Sequence, residues 1–187
     1  MKPSLEPAYF DALYAADCDP WQFATSAYEH EKYDATLAAL PARIGSAFEI
    51  GCSIGVLTRR LAERCDKLIA VDVVKAALAA ASRRCADQPN VTIARMQVPR
   101  EWPAARFDVI LFSEVLYYLS SDDLAHTAAR TRSSLAPGGH ALLVHYTLPT
   151  DYPASGDAAA DGFIAACGLT PILQRRAAQY RLDLLSA

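Results

Sequence analysis

The sequence predicts an α/β protein in which a doubly wound, Rossmann-like sheet of mostly parallel strands carries helices on both faces. Short apolar segments alternate with amphipathic segments along most of the chain, which is the order that βαβ units produce. The apolar run Ala47–Ile50 ends in a turn that contains Gly51 and Gly55, and a predicted helix follows at once. Continuous apolar character is typical of parallel strands, because both faces of such a sheet are covered.

Two helices are predicted before the first strand. Tyr9–Tyr14 favours a short helix, and Trp21–Leu40 has the spacing of an amphipathic helix that Pro41 ends. Residues 1–41 are therefore expected to form a helical cover and residues 42–187 a Rossmann-like core, within a single domain. With 187 residues, of which 52% are apolar, the chain can bury one full core.

The remaining elements follow in alternation. Strands are predicted over Ala47–Ile50, Lys67–Val71, Val91–Met96, Phe107–Phe112, His140–Tyr146, Ile172–Arg176 and Tyr180–Leu185. Helices are predicted over Gly55–Cys65, Val74–Cys85, Asp122–Leu135 and Ser155–Cys167. Ser120 or Ser121 is expected to cap the third of these helices, and Gly168 to end the fourth. Ligands of such folds bind where the strands end, so the residues at strand ends are the candidate site.

Composition and charge favour a small-molecule ligand. The formal net charge is −3 and the basic residues are scattered, whereas nucleic acids and anionic membranes bind clustered basic residues. The five cysteines include no C-x-x-C pair and indicate buried, reduced thiols, and the four histidines lack metal-ligand spacing. No signal-peptide core and no run of membrane-spanning length is present, so we expect a cytoplasmic protein. The oligomeric state stays open.

The turn after the first strand departs from the pattern of dinucleotide-binding proteins. Counted from Gly51, the second and third glycine positions of G-x-G-x-x-G hold Ser53 and Val56. Glu49 lies two residues before Gly51, and its charge would repel a pyrophosphate in a crevice of low dielectric. These features disfavour an NAD(P)-dependent oxidoreductase and favour a cationic ligand. A turn that serves only the packing of a helix on the sheet is the structural alternative.

S-adenosylmethionine (SAM) has groups that suit the two acids ending consecutive strands. Its ammonium group matches Glu49, and its ribose diol matches Asp72, whose two carboxylate oxygens can accept both hydroxyls. Gly51 lets a ligand approach the backbone, because no Cβ stands in the way. SAM is therefore the predicted cofactor, with S-adenosylhomocysteine (SAH) as its product, and no metal is predicted.

Four ordered motifs resemble those of the class I SAM-dependent methyltransferases, namely Glu49-x-Gly51-x-x-x-Gly55, Asp72, Phe107–Glu114 and Leu135–Gly139. Four segments within them are similar to the nodulation protein S (NodS-like) subgroup, namely Asp19-Pro20-Trp21, Phe48–Cys52, Ser113–Leu119 and Leu135–His140. Members of this subgroup N-methylate a glucosamine unit of a chitooligosaccharide. The resemblance runs from about Asp19 to His140 and implies a seven-stranded sheet whose last strand is antiparallel. Ser53 departs from it, because most class I enzymes have glycine there.

The resemblance implies cofactor-binding roles at several strand ends. The first two strands and the glycine turn contribute Glu49, Gly51, Cys52, Ser53, Gly55, Asp72 and Val73. Met96 and Gln97 end the third strand, where the family binds adenine. The fourth strand contributes Ser113, Glu114 and Tyr118. Trp21 and Lys32 are expected to close over the methionine end of the cofactor, with core and surface roles as their alternatives.

Glu114 and His145 are the predicted catalytic residues, because both end strands of the sheet. An amine must be neutral to attack and must lose a proton afterwards, so a proton acceptor helps. Glu114 is preferred, since it lies inside the segment that carries the resemblance and His145 lies at its edge. An isolated histidine is more often a buried structural residue than a catalyst.

The predicted function is therefore the transfer of a methyl group from SAM to a small-molecule acceptor. An amine, such as an aminosugar or a chitooligosaccharide, is the preferred acceptor, which makes the protein an N-methyltransferase. A small-molecule O-methyltransferase, a non-catalytic SAM-binding module and an NAD(P)-dependent oxidoreductase are the alternatives.

Overall fold

The structure is a computed structural model in which residues 2–187 are described. The strands are β1 (Ile44–Ile50), β2 (Cys65–Asp72), β3 (Val91–Arg95), β4 (Phe107–Ser113), β5 (Leu135–Tyr146), β6 (Thr170–Arg176) and β7 (Tyr180–Ser186). The helices are α1 (Pro7–Ala16), α2 (Ala27–Ala38), α3 (Val56–Ala62), α4 (Lys75–Arg84), α5 (Ser121–Ser134), α6 (Gly156–Cys167) and the short 3-10 helix η1 (Leu116–Tyr118).

The seven strands form a sheet in the order β3-β2-β1-β4-β5-β7-β6. Strands β1, β2 and β3 are parallel, β4 and β5 are parallel, and β7 is antiparallel to both of its neighbours. Helices lie on both faces. The predicted fold class is therefore confirmed, including the antiparallel last strand.

The chain separates into two compact units. Residues 6–96, called the N-terminal unit here, contain α1 to α4 and β1 to β3. Residues 97–187 together with residues 2–5, called the C-terminal unit, contain the remaining elements. Each unit is described by itself, and the single domain expected from the sequence stays a prediction.

In the N-terminal unit, β2 pairs with β1 on one side and β3 on the other. The register places Glu49 of β1 opposite Ala70, and Asp72 opposite Arg95 of β3. A core cluster of Tyr14, Ile54, Val74 and Ala77 joins α1, the glycine turn and the start of α4. The glycine turn is therefore packed beneath the first helix.

In the C-terminal unit, α5 and α6 pack together, and the ring of Phe163 on α6 lies 5.1 Å from that of Phe112 on β4. Strand β5 begins at Leu135, whereas the sequence predicted that this strand begins at His140. Leu135 pairs with Phe107, and regular pairing resumes with His140 opposite Val109, so the Pro-Gly-Gly segment forms an irregular part of the strand.

Several helix boundaries differ from the predictions. The helix predicted over Gly55–Cys65 spans Val56–Ala62, and Cys65 instead begins β2. The helix expected over Trp21–Leu40 begins only at Ala27, because the Asp19 carboxylate accepts hydrogen bonds from two backbone N–H groups of the preceding turn. Ser26 then caps α2. The predicted helix Tyr9–Tyr14 extends to Pro7–Ala16, and Ser120 is confirmed as the cap of α5.

Within residues 2–187, no helix is long and apolar enough to cross a membrane, and no cluster of three potential metal ligands occurs. All five cysteines are free thiols. Four of them are buried, as the sequence predicted, whereas Cys18 is exposed.

Candidate functional site

The glycine turn after β1 is anchored to β2 by its own backbone. Gly51 and Cys52 both donate their N–H groups to the carbonyl of Val71, at 2.8 and 3.0 Å. Gly51 has a φ of +82° and Gly55 of +78°, a region that side chains disfavour. A Cβ on Gly55 would also lie 2.9 Å from the backbone of Ala81, so this glycine has a packing role.

Ser53 occupies the centre of the turn with a φ of +49°. Its hydroxyl is hydrogen-bonded to the hydroxyl of the buried Tyr14 on α1, and its backbone N–H donates to Asp72 Oδ2 at 2.9 Å. These two bonds compensate for an unfavourable backbone conformation. Sequence reasoning missed Tyr14, because nothing local links a helical tyrosine to a turn 39 residues later.

Asp72 ends β2 with both carboxylate oxygens engaged. Oδ2 accepts from Ser53 and Oδ1 accepts from the backbone N–H of Val74 at 3.0 Å. Burial raises the pKa of Asp72 and these backbone donors lower it. Each carboxylate oxygen can accept a second hydrogen bond, so the group can also bind a diol. The adjoining Val73 packs against the core cluster that contains Tyr14.

Glu49 is 1% exposed, and its Oε2 has no hydrogen-bond partner among the residues described. The pKa of Glu49 is raised to about 7, and burial is the main cause; the Thr58 hydroxyl opposes this shift, and the charge of Asp72 adds to it. A buried carboxylate oxygen without a donor is costly unless a ligand supplies one. This acid therefore fits a cationic ligand, and its contact with such a ligand stays a prediction.

Glu49 is expected to make the unligated protein less stable as the pH rises. Its pKa of about 7 lies above the value of 4.5 that is usual for a solvated glutamate, so the folded state holds this proton more tightly than the unfolded state does. The resulting penalty is absent at low pH, develops between these two values, and reaches about 3 kcal/mol above them. Urea titrations of wild type and Glu49→Gln at about pH 5 and pH 8 measure this difference.

Glu63→Gln is the matched control, because Glu63 is an exposed acid in the same unit. The advantage of Glu49→Gln over wild type should grow toward pH 8, whereas the control should follow wild type at both pH values. Parallel pH profiles of wild type and Glu49→Gln would contradict the assignment.

Trp21 and Lys32 lie in different surroundings. The Trp21 ring packs between Tyr14 and Phe23, at centroid distances of 5.8 and 5.6 Å. Lys32 is buried on α2, where its Nζ lies 2.9 Å from Glu29 Oε1 and 5.0 Å from the Tyr28 ring centroid. Their contact with a cofactor stays a prediction.

Met96 and Gln97 belong to different units. The backbone N–H of Met96 donates to the carbonyl of Asp72 at 3.0 Å, which holds the end of β3 beside the end of β2. The backbone N–H of Gln97 donates to Glu101 Oε2 at 2.7 Å. Adenine binding by these residues stays a prediction.

Glu114 follows Ser113 at the end of β4 and has a φ of +59°. Its N–H donates to the carbonyl of Val144 at 2.9 Å. Its Oε2 accepts from the Tyr117 hydroxyl at 2.6 Å and from the backbone N–H of Tyr146 at 2.8 Å. Strained backbone conformations persist where the surroundings enforce them, and they are frequent at active sites. Glu114 is therefore a precisely oriented carboxylate.

His145 is fully buried, and its Nε2 accepts a hydrogen bond from the backbone N–H of Leu116 at 3.1 Å. Its ring also packs edge-on against Tyr117 at 5.4 Å. A ring nitrogen occupied by a backbone donor is not available to take a proton from a substrate. The geometry therefore favours a role for His145 in positioning η1, and its catalytic role stays a prediction.

Three tyrosines cluster beside Glu114. The ring centroid of Tyr117 lies 4.6 Å from that of Tyr118 and 5.1 Å from that of Tyr152. Burial and the charge of Glu114 raise the pKa of Tyr117, and burial raises that of Tyr118, so both hydroxyls stay protonated. The sequence singled out Tyr118, but it gave no signal for Tyr152, which comes from a loop.

The fold is that of the class I methyltransferases. A protein of Pseudomonas syringae assigned to the methyltransferases matches 87% of this chain and all of its own, with 34% identity and a TM-score of 0.77. The N-methyltransferase NodS of Bradyrhizobium japonicum, solved with SAH, matches 96% of both chains with 24% identity and a TM-score of 0.83.

The family model for nodulation protein S matches residues 12–144, and the chain belongs to this family. It is 34% identical to nodulation protein S of Sinorhizobium fredii over 125 residues, and 36% identical to that of Bradyrhizobium diazoefficiens over 123 residues. These matches cover 65% and 64% of this chain and 58% of each relative's length.

Proposed function

We propose that the protein is a SAM-dependent N-methyltransferase that acts on a small amine, such as an aminosugar or a chitooligosaccharide. The observation that carries the proposal is the buried Glu49 carboxylate, whose Oε2 finds no donor among the described residues. It lies one strand away from the diol-binding candidate Asp72. A SAM ammonium and ribose diol satisfy both acids. The NodS relative solved with SAH supports the same cofactor.

In this proposal, residues of the N-terminal unit hold the cofactor. Glu49 pairs with its ammonium group, Asp72 accepts from its ribose hydroxyls, and Gly51 presents bare backbone to it. When bound, SAM supplies a methyl group already activated on a sulfonium. The protein therefore needs mainly to position the acceptor, and no nucleophilic side chain is required.

Residues of the C-terminal unit handle the proton of the acceptor. The amine must lose a proton when its nitrogen gains a methyl group, and Glu114 is the proposed acceptor. Tyr117 and the Tyr146 N–H fix its Oε2 and orient the carboxylate before the acceptor arrives.

Calorimetry with SAH, SAM and NADH tests the cofactor, and a SAM-consumption screen tests the acceptor. Tight binding of SAH without NADH binding is expected, followed by SAH production with glucosamine, short deacetylated chitooligosaccharides or small amines. SAH binding without turnover of any acceptor would favour a binding module. Methylated oxygen in the product would indicate an O-methyltransferase, and preference for NADH would overturn the cofactor.

Asp72→Ala is expected to weaken SAH binding by about 1–3 kcal/mol, the range for losing hydrogen bonds to a charged group. The variant also removes acceptors for two backbone N–H groups, so its thermal stability should fall as well. Asp66→Ala is the matched control, because Asp66 is an exposed aspartate on the same strand. Calorimetry at a temperature where both variants are folded separates the loss of SAH affinity from the loss of stability. Unchanged SAH affinity in Asp72→Ala would remove Asp72 from the site.

A further inference from the structure

Residues 147–155, which connect β5 to α6, lie beyond the part of the chain that the family model matches. This connection packs against η1. The N–H of Ala154 donates to the carbonyl of Tyr117 at 3.2 Å. The Tyr152 ring stacks on Tyr117 with an interplanar angle of 23°, and it meets Tyr118 edge-on at 4.7 Å.

The Tyr152 ring stacks on Tyr117, which in turn contacts Glu114, the proposed proton acceptor. Tyr117 is buried and donates its hydroxyl to Glu114, whereas Tyr118 and Tyr152 are each half-buried. The two half-buried rings therefore form the accessible part of the cluster around Glu114. Both are large, rigid and apolar over their faces, with hydroxyls at their edges.

The N-terminal residues fasten this region in place. The N–H of Leu5 donates to the carbonyl of Tyr118 at 2.9 Å, and the N–H of Ser120 donates to Ser4 Oγ at 2.8 Å. The Lys2 ammonium group donates to the carbonyl of Tyr152 at 3.2 Å. Because bonds from a distant part of the chain hold the backbone on both sides of the cluster, the tyrosines are arranged before any acceptor binds.

We propose that Tyr152 determines which acceptors the protein methylates, by forming with Tyr118 an aromatic wall that packs against a cyclic acceptor. A pyranose ring has a flat face of C–H groups that can cover an aromatic ring, whereas an open-chain amine has none to offer. The inference rests on the proposed methyltransferase function and assigns the selection of its acceptor to a residue outside the family-matched region.

Steady-state kinetics with two amines of equal carbon count test the inference. Glucosamine is the cyclic acceptor, and glucamine, an open-chain amino alcohol that also has six carbons, is the flexible one. Tyr152→Leu keeps an apolar side chain but removes the ring, and Tyr152→Phe keeps the ring. Ile172→Ala is the control, because Ile172 is an exposed apolar residue of the same unit on β6, an edge strand of the sheet.

Tyr152→Leu is expected to raise the KM for glucosamine about tenfold, in line with the loss of one aromatic contact, and to leave the KM for glucamine within about twofold. Tyr152→Phe should behave as wild type toward both amines. The affinity for SAH, measured by calorimetry, should be unchanged in all variants and shows that each is folded.

Equal effects on the two amines, or an unchanged KM for glucosamine, would overturn the role of Tyr152 while leaving the methyltransferase function intact. A Tyr152→Phe variant as impaired as Tyr152→Leu would assign the effect to the hydroxyl and would also overturn the aromatic wall. Wild-type protein that binds SAH but turns over neither these amines nor those of the wider screen would overturn both proposals.

Discussion

Gly51→Val is expected to abolish SAH binding, with a loss of affinity of at least about 100-fold. Gly51 follows β1 with a φ of +82°, and its N–H is already used by Val71. A ligand that pairs with Glu49 and Asp72 must pass close to this backbone, and a branched side chain takes up the space it needs. Calorimetry with SAH measures the loss directly.

Gly51→Val also strains the backbone, so a control variant must measure how much this strain alone lowers the stability. Gly138 has a similar φ of +73°, and a Cβ built there meets no atom within 4 Å. Gly138→Val should therefore lower the thermal stability about as much as Gly51→Val does, because a β-branched residue is disfavoured at positive φ. Its SAH affinity should stay at the wild-type level. Normal SAH binding by Gly51→Val would mean that the turn only joins the strand to the helix.

Gly55→Val should affect mainly the packing of a helix, unlike the substitutions of Gly51 and Gly138. Its Cβ would meet the backbone of Ala81 on α4, which belongs to the core of the unit and cannot retreat as a flexible side chain can. We therefore expect a larger loss of thermal stability than at Gly138. The three glycines thus separate ligand approach, backbone strain and helix packing.

The sequence could predict where the candidate cofactor-binding residues lie in the fold, because these residues are local to βαβ units. The ends of two predicted strands and a glycine turn identify Glu49, Gly51 and Asp72. The alternation of strands and helices then places the carboxyl ends of the strands at one edge of the sheet. The register of β1 and β2 then brings the two acids together, without any long-range information. The same logic predicted Glu114 at the end of β4.

The residues that support the site could not be predicted in this way. Tyr14 reaches Ser53 across 39 residues, and Tyr152 meets Tyr117 through a loop without a periodic pattern. Such contacts depend on how helices and loops dock, which hydrophobic spacing does not encode. The apolar neighbours of Trp21 continue the helical spacing of α2, so the sequence predicts a helix there. The Asp19 carboxylate instead stabilises a turn there.

The network around Arg181 is a second feature without a sequence signal. This arginine lies opposite His145 in the pairing of β5 with β7 and is nearly buried. Its guanidinium group contacts Asp183 of its own strand and two aspartates of α6, Asp157 and Asp161. A buried arginine within an apolar strand is costly unless carboxylates pair with it, and these three do so. The network fixes α6 against β7 and so supports the strand that carries His145.

The two candidate proton acceptors differ in what the structure lets them do. Glu114 is a half-buried carboxylate, held at Oε2 by two donors. His145 is fully buried and its Nε2 accepts from the backbone N–H of Leu116, so the geometry favours a role in holding η1 and the Tyr117 ring in place. Substitution of Glu114 should therefore affect the chemical step, and substitution of His145 should affect mainly stability.

Glu114→Gln is expected to lower the methyl-transfer rate by on the order of 10²-fold while SAH affinity changes by no more than a few-fold. Glutamine keeps the shape of the side chain and can still accept from Tyr117 and Tyr146, but it cannot take a proton from the amine. The loss should correspond to the low end of general base catalysis, because positioning of the acceptor survives.

His145→Gln is the matched variant, since it retains an acceptor for Leu116 without the cavity that alanine would leave. Its rate should fall less than that of Glu114→Gln, and its thermal stability should fall more. Single-turnover measurements at saturating SAM and acceptor compare the two directly: a larger rate loss in His145→Gln would transfer the role to His145, and full rates in both would mean that solvent takes the proton.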